Sequence, residues 1–213
     1  MSLNEILPLV AVIVISYLFG SIPTAYLIAR HKGINIFEVG SGNMGATNVT
    51  RALGFWWGIM VWFFDSLKGI MAIVIATLLM PDNKAAATAI SATVAVVGHN
   101  WSLFAAMITG TLRGGKGAAI WFGTMLMIAP FQVIAGMCLM GGLIIAATRY
   151  VSLGVLSMFA LSMLWIIVLI NQQLLPTEYS FYSLMVTAMI IYRFRENIQA
   201  LLTGTERRLG ERT

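Results

Sequence analysis

Apolar stretches separated by short polar connections run through the whole chain. They cover residues 6–29, 55–80, 85–112, 118–148, 151–170 and 179–192. A helix needs about 20 predominantly apolar residues to cross the hydrocarbon core of a bilayer. The fourth stretch is too long for one crossing and short for two, and Pro130, which has no backbone N–H, is its natural break. The pattern predicts transmembrane helices, two of which meet at Pro130.

Basic residues gather in the connections on one side of these helices and in the C-terminal tail. They are Arg30, Lys32, Arg51, Arg113, Lys116, Arg149, Arg193, Arg195, Arg207, Arg208 and Arg212. The opposite side is poorly basic and holds Glu5, Asp82, Lys84 and Glu178. Cytoplasmic loops are enriched in Lys and Arg, and Lys116 and Arg149 share a side only if the stretch between them crosses twice. Seven transmembrane helices are predicted, with the N-terminus outside and the C-terminus in the cytoplasm; five spans with a re-entrant hairpin is the alternative.

Composition excludes other classes of protein. Apolar residues make up 59% of the chain and charged residues 10%, against about 45–50% and about 25% in soluble domains. One cysteine, Cys138, leaves no disulfide framework and no cysteine metal cluster. The net charge of +5 fits cytoplasmic membrane loops, so no nucleic-acid partner is expected. We predict an all-α integral membrane protein with one polytopic domain over residues 1–213, of which 194–213 form an amphipathic cytoplasmic tail.

The first polar connection has a composition suited to binding an anion. Residues 40–51 read Gly-Ser-Gly-Asn-Met-Gly-Ala-Thr-Asn-Val-Thr-Arg. Glycines such as Gly42 let backbone N–H groups turn toward an anion. The side-chain donors of this segment are Ser41, Asn43, Thr47, Asn48 and Arg51. The planar guanidinium of Arg51 suits the binding of a phosphate group. A flexible turn that caps the next helix is the alternative.

The second polar connection joins Gly98-His99-Asn100 to Arg113-Gly114-Gly115-Lys116-Gly117. Residues 110–116 match the pattern G-x-x-x-x-G-K, but Gly117 stands where a Ser or Thr would hold magnesium, and no strand precedes the segment. A nucleotide-hydrolysing P-loop is therefore not predicted. Open backbone amides beside Lys116 suit a phosphate group, and a glycine hinge before a helix is the alternative.

Two ionisable residues, Asp65 and Lys68, lie inside an apolar stretch, where charged groups are costly. At a spacing of three they share a helix face, so they form either a structural ion pair or a direct contact with a polar substrate. His99, alone in an apolar context, is interpreted as a structural residue. The residues alone leave two functions open: an enzyme that acts on a phosphorylated substrate, or a transporter for one.

The run 40–51 resembles the first signature of the bacterial acyl-phosphate:glycerol-3-phosphate acyltransferases of the PlsY type. Other segments agree with this family in order and place: 20–26, 65–69, 98–99, 114–117, 149–153, 195–198 and 201–206. The resemblance implies a seven-helix enzyme of the cell membrane with its active site at the cytoplasmic face. It would transfer the acyl group of acyl phosphate to the sn-1 hydroxyl of glycerol-3-phosphate, giving lysophosphatidic acid and phosphate, with no cofactor and no metal. A transporter or flippase for an organophosphate is the alternative.

The resemblance and the residue chemistry together assign roles to individual positions. The predicted catalytic residues are Ser41, Arg51 and Asn197. The predicted substrate-binding residues are Gly42, Asn43, Thr47, Asn48, Lys68, His99, Gly114, Gly115, Lys116, Gly117 and Ser152. Asp65 and Glu206 are predicted to be structural. The expected partners are acyl phosphate, glycerol-3-phosphate, membrane lipid and an upstream enzyme that forms acyl phosphate.

The chain departs from the family at one position. The last signature usually carries a His three residues before its Asn, and here Phe194 precedes Asn197 at that spacing. An aromatic hydrocarbon ring cannot donate a hydrogen bond to an oxyanion, and one such donor can contribute about 10²–10³ in rate. We still expect activity, because Ser41, Arg51 and Lys116 are kept and the acyl donor is already activated.

Overall fold

A computed structural model describes residues 3–211. The predicted tail therefore has its last two positions, Arg212 and Thr213, outside the described residues, as are Met1 and Ser2. The described chain contains ten α-helices, a 3-10 turn at Pro81–Asn83 and, apart from an isolated bridge between Ser102 and Arg113, no β-structure. The helices are α1 Leu3–Ser21, α2 Thr24–His31, α3 Ala46–Leu53, α4 Phe55–Leu79, α5 Lys84–Asn100, α6 Leu103–Thr109, α7 Ala118–Ile128, α8 Phe131–Thr148, α9 Val151–Asn171 and α10 Tyr179–Leu202.

Four helical segments of the described chain are long and apolar enough to cross a membrane. They are Leu3–His31, which comprises α1 and α2, and the helices α4, α8 and α9. The other predicted crossings correspond to α5, α7 and α10, and α7 has 11 residues. The break at Pro130 is confirmed, since α7 ends at Ile128 and α8 begins at Phe131.

The apolar stretch 85–112 is not one helix. The helix α5 ends at Asn100, and Ser102 starts α6, because its Oγ accepts a hydrogen bond from Ala105 N at 3.1 Å. The same hydroxyl donates to Ser21 O at the end of α1. A serine N-cap and a bond from outside the helix thus divide a segment whose apolar pattern is continuous.

The described chain forms two compact units, residues 3–127 and 128–211. In the first unit α1 packs on α4 and α5, and α4 packs on α5. Small residues allow these close approaches: a Cβ on Gly20 would overlap Ala95 O, and one on Gly98 would overlap Tyr17 O. Helix pairs in membranes use small residues in this way. The second unit packs α9 against α8 and α10.

Large apolar side chains point outward on the long helices. Leu7 is 68% exposed, Leu139 65%, Leu164 65% and Leu184 71%. Soluble monomers rarely expose contiguous apolar surface on this scale, whereas lipid covers it. The exposed apolar faces therefore agree with the membrane class that the sequence predicts.

Candidate active site

The connection between α2 and α3, residues 32–45, is called the first loop and is organised by Asn48. Asn48 is 2% exposed. Its Nδ2 donates to Ile36 O at 3.3 Å and to Val39 O and Asn43 O at 3.1 Å. Its Oδ1 accepts from Ser41 N at 3.0 Å. One buried amide, contributed by the first turns of α3, thus holds the backbone of four loop residues.

Glycines with left-handed backbone angles flank Ser41. Gly40 has φ +60° and Gly42 φ +65°, a region that side chains with a Cβ rarely adopt. A Cβ on Gly40 would also overlap Asn48 Oδ1. The loop therefore needs glycine at these positions, and it presents the exposed Ser41 at its surface. Thr47 and the half-buried Arg51 lie four residues apart on α3 and so share a helix face.

The glycine loop, residues 114–117, lies against the end of α5. Gly115 N donates to His99 O at 3.1 Å. A Cβ on Gly114 would overlap His99 O, and a Cβ on Gly115 would overlap His99 Nε2. This segment therefore requires glycine for the approach of two backbones as well as for its own conformation, with Gly117 at φ +85°. The half-buried Lys116 sits in the same loop.

The first loop and the second connection meet within residues 3–127. The guanidinium carbon of Arg113 lies 4.9 Å from the ring centroid of Phe37. Phe37 in turn stacks on Tyr26 of α2 with ring centroids 5.7 Å apart. The two segments that the sequence identifies as suited to an anion are therefore neighbours in the fold.

Asp65, Lys68 and His99 form a buried cluster, and their exposures are 1%, 6% and 5%. Lys68 Nζ lies 2.9 Å from Asp65 Oδ1 and donates to Ile22 O at 2.8 Å. His99 Nδ1 lies 4.0 Å from the same carboxylate oxygen. The ion pair expected from the spacing is formed. The cluster belongs to a cleft, called the Asp65 cleft, that is lined by Gly20, Ile22, Pro23, Thr24, Met44, Asp65, Lys68, His99 and Ser102.

Asn100 is not among the residues that the sequence predicts for the site. It is fully buried, and its amide has no hydrogen-bond partner among residues 3–211. A Cβ on Gly117 would lie 3.0 Å from Asn100 Oδ1, so the amide faces the glycine loop. The signal in the sequence is an amide next to His99 in an otherwise apolar stretch.

The remaining predicted residues lie in the unit 128–211. Glu206 Oε1 accepts from Ser152 Oγ at 2.6 Å and from Asn197 Nδ2 at 2.8 Å. The tail is further tied to the start of α9, because Arg149 Nη2 donates to Leu209 O and Leu209 N donates to Arg149 O, both at 2.6 Å. Ser152, Asn197 and Glu206 are thus brought together.

The predicted tail, residues 194–213, is part helix and part irregular chain where the structure describes it. Residues 194–202 continue α10, and residues 203–211 are irregular. Arg208 lies over the ring of Tyr150 with its guanidinium carbon 5.4 Å from the centroid, and the hydrogen bond with the Tyr150 side chain raises the pKa of Arg208.

Phe194 is buried, with 5% exposure, on the same helix as Asn197.

No three His, Cys, Asp or Glu side chains come together as a metal site in residues 3–211. The donor set of the site is instead made of backbone amides, hydroxyls, amide side chains and the cations of Arg51 and Lys116. Such a set suits anionic oxygens.

An all-helical chain with lipid-facing helices and neighbouring anion-suited loops defines a membrane protein that handles anionic groups. Residues 10–204 match the family model described as "Glycerol-3-phosphate acyltransferase". The glycerol-3-phosphate acyltransferase of Halalkalibacterium halodurans is 38% identical over 199 residues, 92% of this chain and 93% of the relative. That of Clostridioides difficile is 39% identical over 213 residues, 98% of each chain.

Solved structures agree. The crystal structure of PlsY, an integral membrane glycerol 3-phosphate acyltransferase, in its glycerol 3-phosphate form matches with TM-score 0.83 and 36% identity over 94% of this chain and 95% of that one. The lysophosphatidic acid form matches with TM-score 0.81 and 35% identity over the same shares. This chain belongs to the glycerol-3-phosphate acyltransferase family and is a multi-pass membrane protein. The resemblance found in the sequence is confirmed.

Proposed function

We propose that this chain transfers the acyl group of acyl phosphate to the sn-1 hydroxyl of glycerol-3-phosphate, which gives lysophosphatidic acid and phosphate. The observation that carries the proposal is the meeting of the two glycine-rich segments through Phe37 and Arg113 at 4.9 Å. It supports a site that holds two anions side by side. Membership of the family, and the glycerol 3-phosphate and lysophosphatidic acid forms of the solved relative, support the choice of acceptor and product.

The chemistry asks little of the protein beyond holding its substrates. Acyl phosphate is a mixed anhydride, so its carbonyl carbon is already activated. The sn-1 oxygen attacks that carbon, the bond from carbon to phosphate oxygen breaks, and phosphate leaves with the bonding electrons. The hydroxyl proton goes to a phosphate oxygen. Catalysis then rests on orienting two anions that repel each other and on donors placed in advance.

The described residues fit these tasks within their own units. Ser41 and the backbone around it, Arg51 and the glycine loop with Lys116 supply donors and positive charge in residues 3–127. Arg51 suits a phosphate because its planar guanidinium offers two parallel N–H groups. Ser152 and Asn197, which both donate to Glu206, are the polar residues proposed for the site in residues 128–211. In this proposal Ser41, Arg51 and Asn197 are catalytic, and Ser152 lines the pocket for the donor's phosphate.

The proposal includes the seven-helix topology, with the N-terminus outside, the C-terminus and the site in the cytoplasm, and a single domain over residues 1–213. The helices α5, α7 and α10 supply the three crossings beyond the four long segments. With 11 residues, α7 is the most demanding of them, since it spans about 16 Å against a hydrocarbon core of about 30 Å. The basic loops support the orientation.

Single cysteines test the orientation. In a Cys138→Ala background, cysteines at the exposed positions Glu38, Leu112 and Arg207 should react with an impermeant maleimide only after cells are opened. Cysteines at Asp82 and Glu178 should react in intact cells, and they serve as positive controls. Labelling of position 112 from outside would contradict the seven-helix topology.

Activity is tested with purified protein in lipid nanodiscs, palmitoyl phosphate and glycerol-3-phosphate. We expect phosphate release that depends on both substrates, with lysophosphatidic acid detected by mass spectrometry. Arg51→Ala protein, purified in the same way, is the matched control. If no acyl phosphate gives lysophosphatidic acid while reconstituted protein moves an organophosphate across vesicles, the transporter alternative replaces this proposal.

A further inference from the structure

A carboxylate oxygen in the Asp65 cleft lacks a hydrogen-bond partner. Asp65 is 1% exposed, and its Oδ1 lies 2.9 Å from Lys68 Nζ. Both carboxylate oxygens are buried and neither has a hydrogen-bond partner among residues 3–211, so Oδ1 is paired with Lys68 by charge and Oδ2 is left without any partner. Buried polar atoms are nearly always paired, and each exception calls for an explanation. Because Asp65 lines the Asp65 cleft, a hydrogen-bond donor that enters the cleft would supply the missing partner.

The neighbouring ammonium offers the complementary group. Lys68 Nζ has three N–H donors. One of them is bonded to Ile22 O at 2.8 Å, and Asp65 Oδ1 lies 2.9 Å from Nζ as its ion-pair partner. The cleft thus places an acceptor and a donor side by side on one face of α4. A hydroxyl group donates and accepts at once and matches this arrangement, whereas a free anion or cation would meet a like charge.

The charges of the pair favour holding a hydroxyl over removing its proton. A proton taken up by Asp65 would leave Lys68 as an uncompensated buried cation, which is strongly unfavourable. A hydroxyl that only shares its hydrogen leaves the charge balance unchanged. The group bound here is therefore one that does not react.

The cleft lies beside the segments that suit phosphate. A Cβ on Gly115 would overlap His99 Nε2, while His99 Nδ1 lies 4.0 Å from Asp65 Oδ1. One imidazole ring therefore separates the carboxylate from the glycine loop, a span that a three-carbon phosphate can cover. Met44, in the first loop, lines the same cleft.

We propose that Asp65 and Lys68 bind the sn-2 hydroxyl of glycerol-3-phosphate, the hydroxyl donating to Asp65 Oδ2 and accepting from Lys68 Nζ. The inference rests on the proposed function. Of the two substrates only the acceptor carries alcohol groups, and of its two hydroxyls only the one at sn-2 does not react. Asp65 and Lys68 then determine which phosphorylated alcohols the enzyme accepts.

The acceptor lacking this hydroxyl, 3-hydroxypropyl phosphate, is the probe. Sites built to bind a substrate hydroxyl reject the analogue without it by up to about 10⁴–10⁵. We expect kcat/KM of the wild type with palmitoyl phosphate to be at least about a hundredfold higher for glycerol-3-phosphate than for the analogue. The ratio of the two values is the measurement.

The double variant Asp65→Leu, Lys68→Met removes both charges together, so neither is left unpaired. It should lower the ratio to below about tenfold by losing activity on glycerol-3-phosphate, while activity on the analogue changes by less than about threefold. A residue that only stabilises the fold would lower both values equally. Ser66→Ala, which removes a hydroxyl bonded to Trp62 O and Ala119 O on the same helix, is the matched control and should keep the ratio.

The outcomes are distinguishable. A wild type that acylates both acceptors equally, or a double variant that keeps the wild-type ratio or loses both activities in parallel, overturns the inference and leaves the acyltransferase intact. If the double variant does not fold, Asp65→Asn combined with Lys68→Met, which keeps the side-chain volumes and again removes both charges, must lower the ratio for the inference to stand. A wild type that makes no lysophosphatidic acid overturns the proposed function and the inference together.

Discussion

Replacing Asn48 with alanine is expected to disorder the first loop and so to lower activity. The sequence predicts Asn48 as a substrate-binding residue. In the structure its amide is taken up by the loop backbone, at 3.0 Å from Ser41 N and at 3.1–3.3 Å from three carbonyl oxygens. We therefore expect Asn48 to be a positioning residue that acts through Ser41.

The magnitude follows from the hydrogen bonds. The two N–H groups of Nδ2 donate to three carbonyl oxygens, and Oδ1 accepts one hydrogen bond from Ser41 N. Three bonds at about 1 kcal/mol each make about 3 kcal/mol of ordering free energy for the loop. At 1.4 kcal/mol per tenfold, that is about a hundredfold in the equilibrium between ordered and open loop. Since the loss is complete only if the open loop is inactive, kcat/KM should fall between about tenfold and a hundredfold.

Two measurements on Asn48→Ala check this. The first is kcat/KM with palmitoyl phosphate and glycerol-3-phosphate. The second is hydrogen exchange of the backbone amides of residues 36–43, which should become faster as the loop opens. The matched control is Glu38→Ala, which removes an exposed carboxylate of the same loop bonded to Asn35 at 2.6 Å and should change activity by less than about twofold. Lost activity with unchanged exchange would refute the argument and make Asn48 a direct substrate contact.

Three further variants test the rest of the site. Arg51→Ala should lower kcat/KM at least about a hundredfold, and Arg51→Lys should recover little because the planar guanidinium is gone. Lys116→Ala should chiefly raise KM for a phosphate-bearing substrate. Near-normal kinetics in both alanine variants would contradict a site that holds two anions. Phe194→His should raise the rate by less than about tenfold, or 1.4 kcal/mol, and an inactive wild type that this change revives would show that the His is obligatory. Glu206→Ala breaks the bonds to Ser152 and Asn197, so trypsin should cut the tail at least about tenfold faster, and an unchanged cleavage rate would show that other contacts hold it.

Local rules of the backbone and the helix account for what the sequence predicts correctly. Pro130 ends a helix because it lacks an N–H, and the structure breaks there. Asp65 and Lys68 pair because residues three apart share a helix face. The family follows from short signatures whose glycines leave room for neighbouring side chains, as Gly40 does for Asn48 and Gly115 for His99.

Contacts between distant parts of the chain account for what the sequence does not predict. The division of 85–112 into α5 and α6 depends on Ser102 bonding Ser21, 81 residues away. The four backbone partners of the Asn48 amide likewise lie up to 12 residues away and are not visible in the sequence. Neither feature has a periodicity, and so neither can be found from a pattern along the chain.

The Asp65 cleft depends both on a local rule of the helix and on a contact between distant segments. A lysine inside a membrane helix needs hydrogen-bond acceptors besides its carboxylate partner. The interior of an unbroken helix offers none, because each carbonyl accepts from the N–H of the residue four positions later in the same helix. The chain breaks between α1 and α2 at Ile22 and Pro23, and there Ile22 O accepts from Lys68 Nζ at 2.8 Å. The proline that interrupts the first apolar stretch and the ion pair in the second are thus parts of one arrangement. Because the break leaves the Ile22 carbonyl available to Lys68, the buried ion pair lies in the lining of the Asp65 cleft.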